Sequence, residues 1–346
     1  MMLQMKARLA INGFGRIGRN FYRASLHDRE FQEKFEIAAV NDVTDARTLA
    51  HLLKYDSVFG RLETEIGFEE SAFTVDGRRT AVLTERSPSD LPWKSMAIDY
   101  VLESTGLFTS REDAAKHIEA GAKKVIVSAP AKKPDATIVL GVNQGEYDSE
   151  KHHIVSMASC TTNCIAPLVK ILNDNFGVDY GLMSTCHAYT NDQRLLDLPH
   201  RDLRRARAAC MSIIPTTTGA ARAVTEVIPE LKGRLDGVAL RVPVPDGSIV
   251  DLVVQLRKEV TAEAINSAMK RAAQTTMQGI LEYTEEPIVS ADVVGNPHSA
   301  VVDGQSTMVI GKYFAKVFAW YDNEWGFSSR LVDLLRYMAG RDEVKK

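Results

Sequence analysis

Arg8-Leu-Ala-Ile-Asn12 followed by Gly13-Phe-Gly15-Arg16-Ile17-Gly18 reads as an apolar strand that enters a glycine turn and leaves as a helix over about 17–27. Further apolar runs follow at 36–40 (EIAAV), 99–102, 124–127 and 137–140. Runs without polar alternation suit parallel strands buried on both faces. Between two of them, Ser110-Arg-Glu-Asp113 predicts a helix start of the capping-box kind, and Gly121 predicts its end. Repeated strand–helix order implies right-handed crossovers and a doubly wound sheet. After about residue 160 the pattern changes. In 248–257 (SIVDLVVQLR), Val250, Leu252, Val254 and Leu256 occupy every second position, which predicts a half-buried strand. Residues 312–321 form another strand candidate. The segment from 326 to about 339 carries Leu331, Leu334, Leu335 and Met338 at helical spacing.

The expected fold is therefore α/β, a doubly wound domain of the Rossmann kind over 1–159 completed by a C-terminal helix at 325–346. A second, α+β domain over 160–324 would stand on a mixed or antiparallel sheet. Length agrees, since 346 residues exceed what one core usually fills. Hydrophobic residues at 45% and charged residues at 25% are an ordinary globular balance, and a formal net charge of −3 gives no pull toward nucleic acid or acidic membranes. The opening MMLQMKARLAINGFG lacks an apolar core and a cleavage site, so no secretory signal is expected, and no stretch approaches the ~20 apolar residues of a bilayer span. Four cysteines, Cys160, Cys164, Cys186 and Cys210, are too few for a disulfide framework and read as reduced thiols. A cytoplasmic location is expected.

The glycine turn has a specific chemistry. Glycine permits the tight turn, and missing side chains let the backbone approach a pyrophosphate at the positive end of the following helix. The second strand ends at Asn41-Asp42, about 24 residues beyond Gly18. A carboxylate there would accept from both adenosine ribose hydroxyls and repel a 2′-phosphate, favouring NAD over NADP. A bare glycine turn and a solvated Asp42 are the alternatives.

The densest signal is Ser159-Cys160-Thr161-Thr162-Asn163-Cys164, between a strand-like run and a helix-like segment. Cys160 would sit at a helix N-terminus, where the dipole lowers a thiol pKa. His187, in a strand candidate over 183–189, is the candidate base. A buried structural thiol or half of a metal site are the alternatives; neither CxxC nor clustered histidine supplies further ligands, so no metal is expected. Cys164 reads as core, and Cys186 and Cys210 default to packing.

INGFGRIGR (11–19), LKYDSVFGR (53–61), ASCTTNC (158–164), HAYTNDQRLLDLPHRDLRRARAA (187–209), IIPTTTGAARAV (213–224), RVPVPDGSIVDL (241–252) and WYDNEWGFSSR (320–330) together resemble the phosphorylating, NAD-dependent glyceraldehyde-3-phosphate dehydrogenases across the whole chain. The resemblance implies Cys160 as acyl-carrying nucleophile and His187 as its base and later acid. Gly13, Gly15, Arg16, Ile17 and Gly18 would hold the NAD pyrophosphate, Asp42 the adenosine ribose, and Arg86 the adenine end. Ser128 would approach the nicotinamide ribose, and Asn323 would bind the carboxamide. Thr190 and Arg241 would take the substrate's C3 phosphate, Ser159, Thr161, Thr218 and Gly219 the inorganic phosphate, and Arg205 joins this phosphate-binding set. Leu198-Pro199 resembles the pair of NAD-specific members, and 188–213 resembles a loop at the core of a homotetramer. Expected ligands are thus NAD, glyceraldehyde 3-phosphate and inorganic phosphate, with no dedicated nucleic-acid partner and no membrane. Two positions depart from the pattern: Met157 replaces an asparagine, and Phe327 replaces a tyrosine. Erythrose-4-phosphate dehydrogenase is the nearest enzyme alternative, although Thr216 to Gly219 favours phosphate chemistry. A nucleic-acid-binding role for the Arg201, Arg204, Arg205 and Arg207 cluster is the alternative from another class.

Overall fold

The computed structural model describes residues 6–343. It divides into two compact units. The first comprises the described residues within Met1–Ile138, Gly145–Ala158 and Leu331–Lys346, and the second Val139–Gln144 and Ser159–Arg330.

In chain order the first unit contains β1 (Ala7–Asn12), α1 (Arg16–His27), α2 (Arg29–Lys34), β2 (Phe35–Asn41) and α3 (Ala46–Lys54). A small hairpin, β3 (Tyr55–Asp56) and β4 (Gly60–Arg61), leads to β5 (Ile66–Glu69), β6 (Ala72–Val75) and β7 (Arg78–Leu83). Then come β8 (Tyr100–Glu103), α4 (Arg111–Glu119), β9 (Lys124–Val127), β10 (Ala136–Thr137) and β11 (Ile154–Ser156). The main sheet has the order β10-β11-β9-β8-β1-β2-β7-β6-β5. From β10 to β7 every neighbour is parallel. The chain leaves β1 toward β2 and later returns on β1's other side as β8, so a crevice opens at the C-terminal ends of β1 and β8. The apolar runs are buried as expected for a two-sided sheet: Leu9, Ala10 and Ile11 expose nothing. Ser110 caps α4 by accepting the Asp113 N–H at 3.0 Å.

Two features differ from the sequence reading. Strands β5 and β6 are antiparallel to their neighbours. Of the run 137–140 only Thr137 lies in the sheet, as the last residue of β10; Ile138 and Val139 are buried without being strand. Burial and strand are separate properties: the Val139 N–H is met by the Asn143 side chain at 2.9 Å.

The second unit contains α5 (Cys160–Phe176), β12 (Val178–Ala188), β13 (Ile214–Thr217), α6 (Ala220–Val227), β14 (Leu235–Val242) and β15 (Ser248–Leu256). It continues through α7 (Ala262–Gln274), β16 (Leu281–Thr284), β17 (Ala300–Ile310) and β18 (Phe314–Tyr321) into α8 (Trp325–Glu343), which passes to the first unit from Leu331. Its sheet runs β13-β14-β12-β15-β18-β17-β16 and is mixed, with β12–β14 and β16–β17 parallel and the other pairs antiparallel. The alternation in β15 sets its faces: Val250, Leu252, Val254 and Leu256 are buried. Helices α5, α6 and α7 pack on this sheet. Leu331, Leu334, Leu335 and Met338 of α8 are fully buried.

Candidate active site

In the first unit the three glycines of the turn differ in what surrounds them. Gly13 has φ +89° and packs so closely on Ser104–Thr105 that a Cβ would lie 2.6 Å from the Thr105 nitrogen. At Gly18 a Cβ would lie 2.3 Å from the Gly13 oxygen. Around Gly15 nothing approaches within 4 Å. Gly15 is also the N-cap of α1 and supplies no capping side chain, so the helix end presents its N–H groups to a solvent-open space. A cavity of about 300 Å³ lies here, lined among others by Gly13, Gly15, Asp42, Arg86, Thr105 and Phe108. Asp42 is held against the turn, with one carboxylate oxygen accepting the Phe14 N–H at 2.7 Å and the other the Val43 N–H at 2.7 Å. These residues fit a dinucleotide: an open helix end for the pyrophosphate and a fixed carboxylate beside it. The Arg16 side chain pairs with Asp56, leaving its backbone for the anion. Ser128 is half-buried, its N–H bonded to Glu103 O at 2.9 Å.

Beneath this turn runs a buried polar chain that sequence patterning did not reveal. The Trp93 indole donates to His117 Nδ1 at 2.9 Å. An indole N–H only donates, so His117 carries its proton on Nε2 and gives it to Glu103 at 3.0 Å. Glu103 also accepts from Asn12 at 2.6 Å and from the Thr105 N–H at 2.8 Å, and Asn12 in turn accepts from Asn41 at 2.7 Å. The residues that end β1, β2 and β8 are thereby tied together.

In the second unit, Cys160 is the first residue of α5, and Ser159 caps the helix by accepting the Thr162 N–H at 3.1 Å. His187 is the penultimate residue of β12, and its Nε2 stands 3.4 Å from the Cys160 sulfur. Its Nδ1 lies 2.7 Å from the Ala188 carbonyl, which can only accept. A proton on Nδ1 given to this carbonyl leaves the Nε2 lone pair facing the sulfur, the form a general base needs. Tyr321 underpins the pair: its ring meets the imidazole edge-on, and its hydroxyl bridges Thr161 at 2.9 Å and Thr185 at 3.0 Å. Thr161 thus spends its hydroxyl inside the fold.

The thiol's setting corrects the simple helix-end expectation. Burial, the largest influence, pushes the Cys160 thiol up. The Arg241 charge and the Thr161 hydroxyl and N–H pull it down again. His187 is pushed down to about 3, first by burial and then by the Arg241 guanidinium, so taken alone it is neutral at working pH. A proton moving from sulfur to Nε2 makes opposite charges at 3.4 Å at the positive end of a 17-residue helix. Mutual attraction and the helix end work against the desolvation of each partner.

Arg241 lies against the Nδ1 edge of His187 and donates to Ala188 O at 3.1 Å. Asp192, which the sequence reading passed over, gathers the anion-binding groups: its carboxylate accepts from Thr190 and from Arg205, and the Arg241 charge acts on it. Arg205 also donates to Thr216 at 2.9 Å. Thr190, Arg205 and Arg241 are therefore brought together. Thr218 and Gly219 stand on another element, at the start of α6, where Thr218 accepts the Ala220 N–H at 3.1 Å. Asn323 is buried just beyond β18 and accepts from Ser248 at 2.6 Å. Cys164 is fully buried, as expected; Cys210 is exposed, so the packing role assigned to it is not what the fold gives. Among the described residues no group of three or more His, Cys, Asp or Glu could hold a metal ion, and no helix is long and apolar enough to cross a membrane. Phe327 and Met157 are both buried.

Comparison with known proteins bears on the whole chain. The NAD-binding domain model of glyceraldehyde 3-phosphate dehydrogenase matches residues 7–111, and the C-terminal domain model of the same family matches residues 159–323. The glyceraldehyde-3-phosphate dehydrogenase of Geobacillus stearothermophilus is 58% identical over 337 residues, covering 97% of this chain and 99% of that protein. That of Streptomyces coelicolor is 57% identical over 338 residues, 97% of this chain and 100% of the relative. Glyceraldehyde-3-phosphate dehydrogenase 2 of Bacillus subtilis is 56% identical over 337 residues, 97% and 98% of the two chains. With both domain models matched in order and more than half of the residues shared along nearly its full length, the chain belongs to the glyceraldehyde-3-phosphate dehydrogenase family of NAD-dependent oxidoreductases.

Proposed function

We propose that this chain oxidises D-glyceraldehyde 3-phosphate to 1,3-bisphosphoglycerate through an acyl thioester on Cys160. The observation that carries the reading is the 3.4 Å approach of the Cys160 sulfur, at the start of α5, to His187 Nε2. The first unit is assigned to NAD and the second to the aldehyde.

As Sγ bonds to the aldehyde carbon, the thiol proton passes to His187 Nε2 and from there to the former carbonyl oxygen, giving a hemithioacetal and leaving the imidazole neutral. NAD, when bound, supplies the acceptor for the hydride that leaves this carbon. His187 takes the hydroxyl proton as the thioester forms, and the helix-end N–H groups stabilise the developing oxyanion. An oxygen of inorganic phosphate then attacks the thioester carbon, the C–S bond breaks, and the acyl phosphate leaves. Arg241, with Thr190 and Arg205, offers charge-assisted bonds to the substrate phosphate. Engaging that phosphate would draw the guanidinium off His187 and ease its protonation. Ser159, Thr161, Thr218 and Gly219 are assigned to inorganic phosphate, Thr161 by its backbone. Asp42 and Arg86 are assigned to the adenosine, Ser128 to the nicotinamide ribose, and Asn323 to the carboxamide.

A homotetramer in the cytoplasm is part of the proposal. Its support is an exposed apolar row on the second sheet (Tyr180, Leu182, Val238, Met308, Ile310 and Phe314) and the exposed Leu195, Leu196, Leu198 and Leu203 of the 188–213 loop. A hollow of about 810 Å³ beside Tyr180, Leu182 and Phe314 offers no catalytic group and belongs to this surface. The arginine cluster does not favour nucleic acid, since Arg205 pairs with Asp192 and Arg207 with Asp197.

Phosphate dependence tests the reading. With glyceraldehyde 3-phosphate and NAD, sustained NADH formation is expected only with inorganic phosphate; without it, roughly one NADH per site should form before turnover stalls. Turnover at equal rate without phosphate would overturn the proposal.

A further inference from the structure

Two carboxyl groups meet inside the second unit, and nothing in the chemistry above uses them. Asp246 lies just before β15 and Asp322 just after β18, at the end where Ser248 pairs with Tyr321. They are 3% and 1% exposed, and their side chains are in hydrogen-bonding contact. Asp322 is supplied with donors: one oxygen accepts the Gly295 N–H at 2.7 Å, the other those of Glu324 at 2.8 Å and Trp325 at 2.6 Å. Asp246 accepts only the N–H of the adjoining Gly247, at 2.9 Å, and its Oδ2 is buried with no donor. With both groups ionised, neither offers a hydrogen to the other, and two like charges face each other away from water. One proton on Asp246 removes both penalties, because it lets Asp246 donate while Asp322 keeps its three N–H bonds. Burial and then the Asp322 and Glu324 charges push Asp246 up to about 9. The Cys160 sulfur is the other titratable group facing it, from α5.

The pair sits at a functional position. Asp246 is two residues from Ser248, and Asp322 adjoins Asn323. Ser248 donates to Asn323 Oδ1 at 2.6 Å and accepts the Ala188 N–H, next to His187, at 3.1 Å. The intervening Gly247 is wedged: a Cβ there would lie 2.2 Å from Ser290 O, so the turn cannot slide to absorb a change at Asp246.

We propose that Asp246 and Asp322 share one proton and, as positioning residues, lock the β15 and β18 ends so that Asn323 presents its amide to the nicotinamide carboxamide. This rests on the assignment of Asn323 given above. Losing the shared proton sets the carboxylates against each other and loosens Asn323, weakening the nicotinamide end of NAD binding and not the adenosine end. The sign for stability follows. A carboxyl held protonated in the fold but ionised in the unfolded chain costs stability increasingly as pH rises from its unfolded value toward about 9. Asp246→Asn, which keeps the donor and discards the charge, should therefore not be less stable than wild type at neutral pH.

The test is calorimetric binding of NAD and of ADP-ribose, which lacks nicotinamide, at about pH 7 and about pH 10. Wild type, Asp246→Asn and Asn323→Ala are compared. Wild type should lose roughly tenfold in NAD affinity at the higher pH with ADP-ribose little changed, while Asp246→Asn holds its NAD affinity at both. Equal pH dependence in wild type and Asp246→Asn, or an equal loss for ADP-ribose, overturns the pair's role even if Asn323→Ala weakens NAD. Unchanged NAD binding by Asn323→Ala overturns the Asn323 assignment beneath it. Infrared spectroscopy reads the proton without any ligand: wild type should show a buried carboxylic acid C=O band at neutral pH that Asp246→Asn lacks, and its absence from wild type overturns the proposal.

Discussion

Cys160→Ala is expected to lower phosphate-dependent turnover by roughly 10⁴-fold or more, because the covalent route disappears with the sulfur. No neighbour can replace it. Cys164, one helical turn on, is fully buried and faces the Ala319 carbonyl at 3.8 Å. Thr161 Oγ1 is 4.0 Å from the sulfur but engaged with Tyr321. NAD affinity should change little, since the glycine turn, Asp42 and the polar chain through Glu103 all belong to the first unit. Steady-state NADH formation and equilibrium NAD binding on the same preparation check both halves. A variant keeping near-wild-type turnover would remove Cys160 from its role.

The second large effect is expected at His187. His187→Asn should cost about 10²- to 10⁴-fold in turnover, the usual range for a lost general acid–base. It should also change how thiol reactivity depends on pH. Burial first, and Asp246 to a smaller degree, drive Cys160 up, and with His187 gone Arg241 and Thr161 are left to oppose them. Alkylation of Cys160 by iodoacetamide rises with pH as thiolate forms, so in His187→Asn the rise should shift to higher pH than in wild type. Because burial and Arg241 hold the lone imidazole down to about 3, an acid limb near pH 6.5 is not expected from free His187. Superimposable alkylation profiles would contradict the pairing.

Much of this was legible in the residues because their local chemistry and the fold agree. The glycine turn needs a strand before it and a helix after it, and β1 and α1 are there. Period-two spacing predicted the buried face of β15, and Cys160 does lie at a helix N-terminus as expected, although the helical segment read from the sequence, 165–175, begins five residues after α5 does. What could not be read was set by distant partners. Buried Ile138 and Val139 satisfy their backbone outside a strand, so an apolar run overstated β10. Asp192 stands two residues from Thr190, yet only the folded loop shows Arg205 on it. The joining of Asp246 and Asp322 depends on strand register, and the Trp93–His117–Glu103 chain on the sheet's stacking. Dipole reasoning alone put the thiol low; the folded surroundings add the desolvation that raises it.

Peptide mass spectrometry after acid quench tests the thioester most directly. The protein is mixed with NAD and glyceraldehyde 3-phosphate without inorganic phosphate, quenched and digested. A 3-phosphoglyceryl adduct should lie on the peptide carrying Cys160 and vanish when phosphate is added before the quench. NADH formed with no adduct there, or an adduct on Cys186 or Cys210 instead, would contradict catalysis through Cys160.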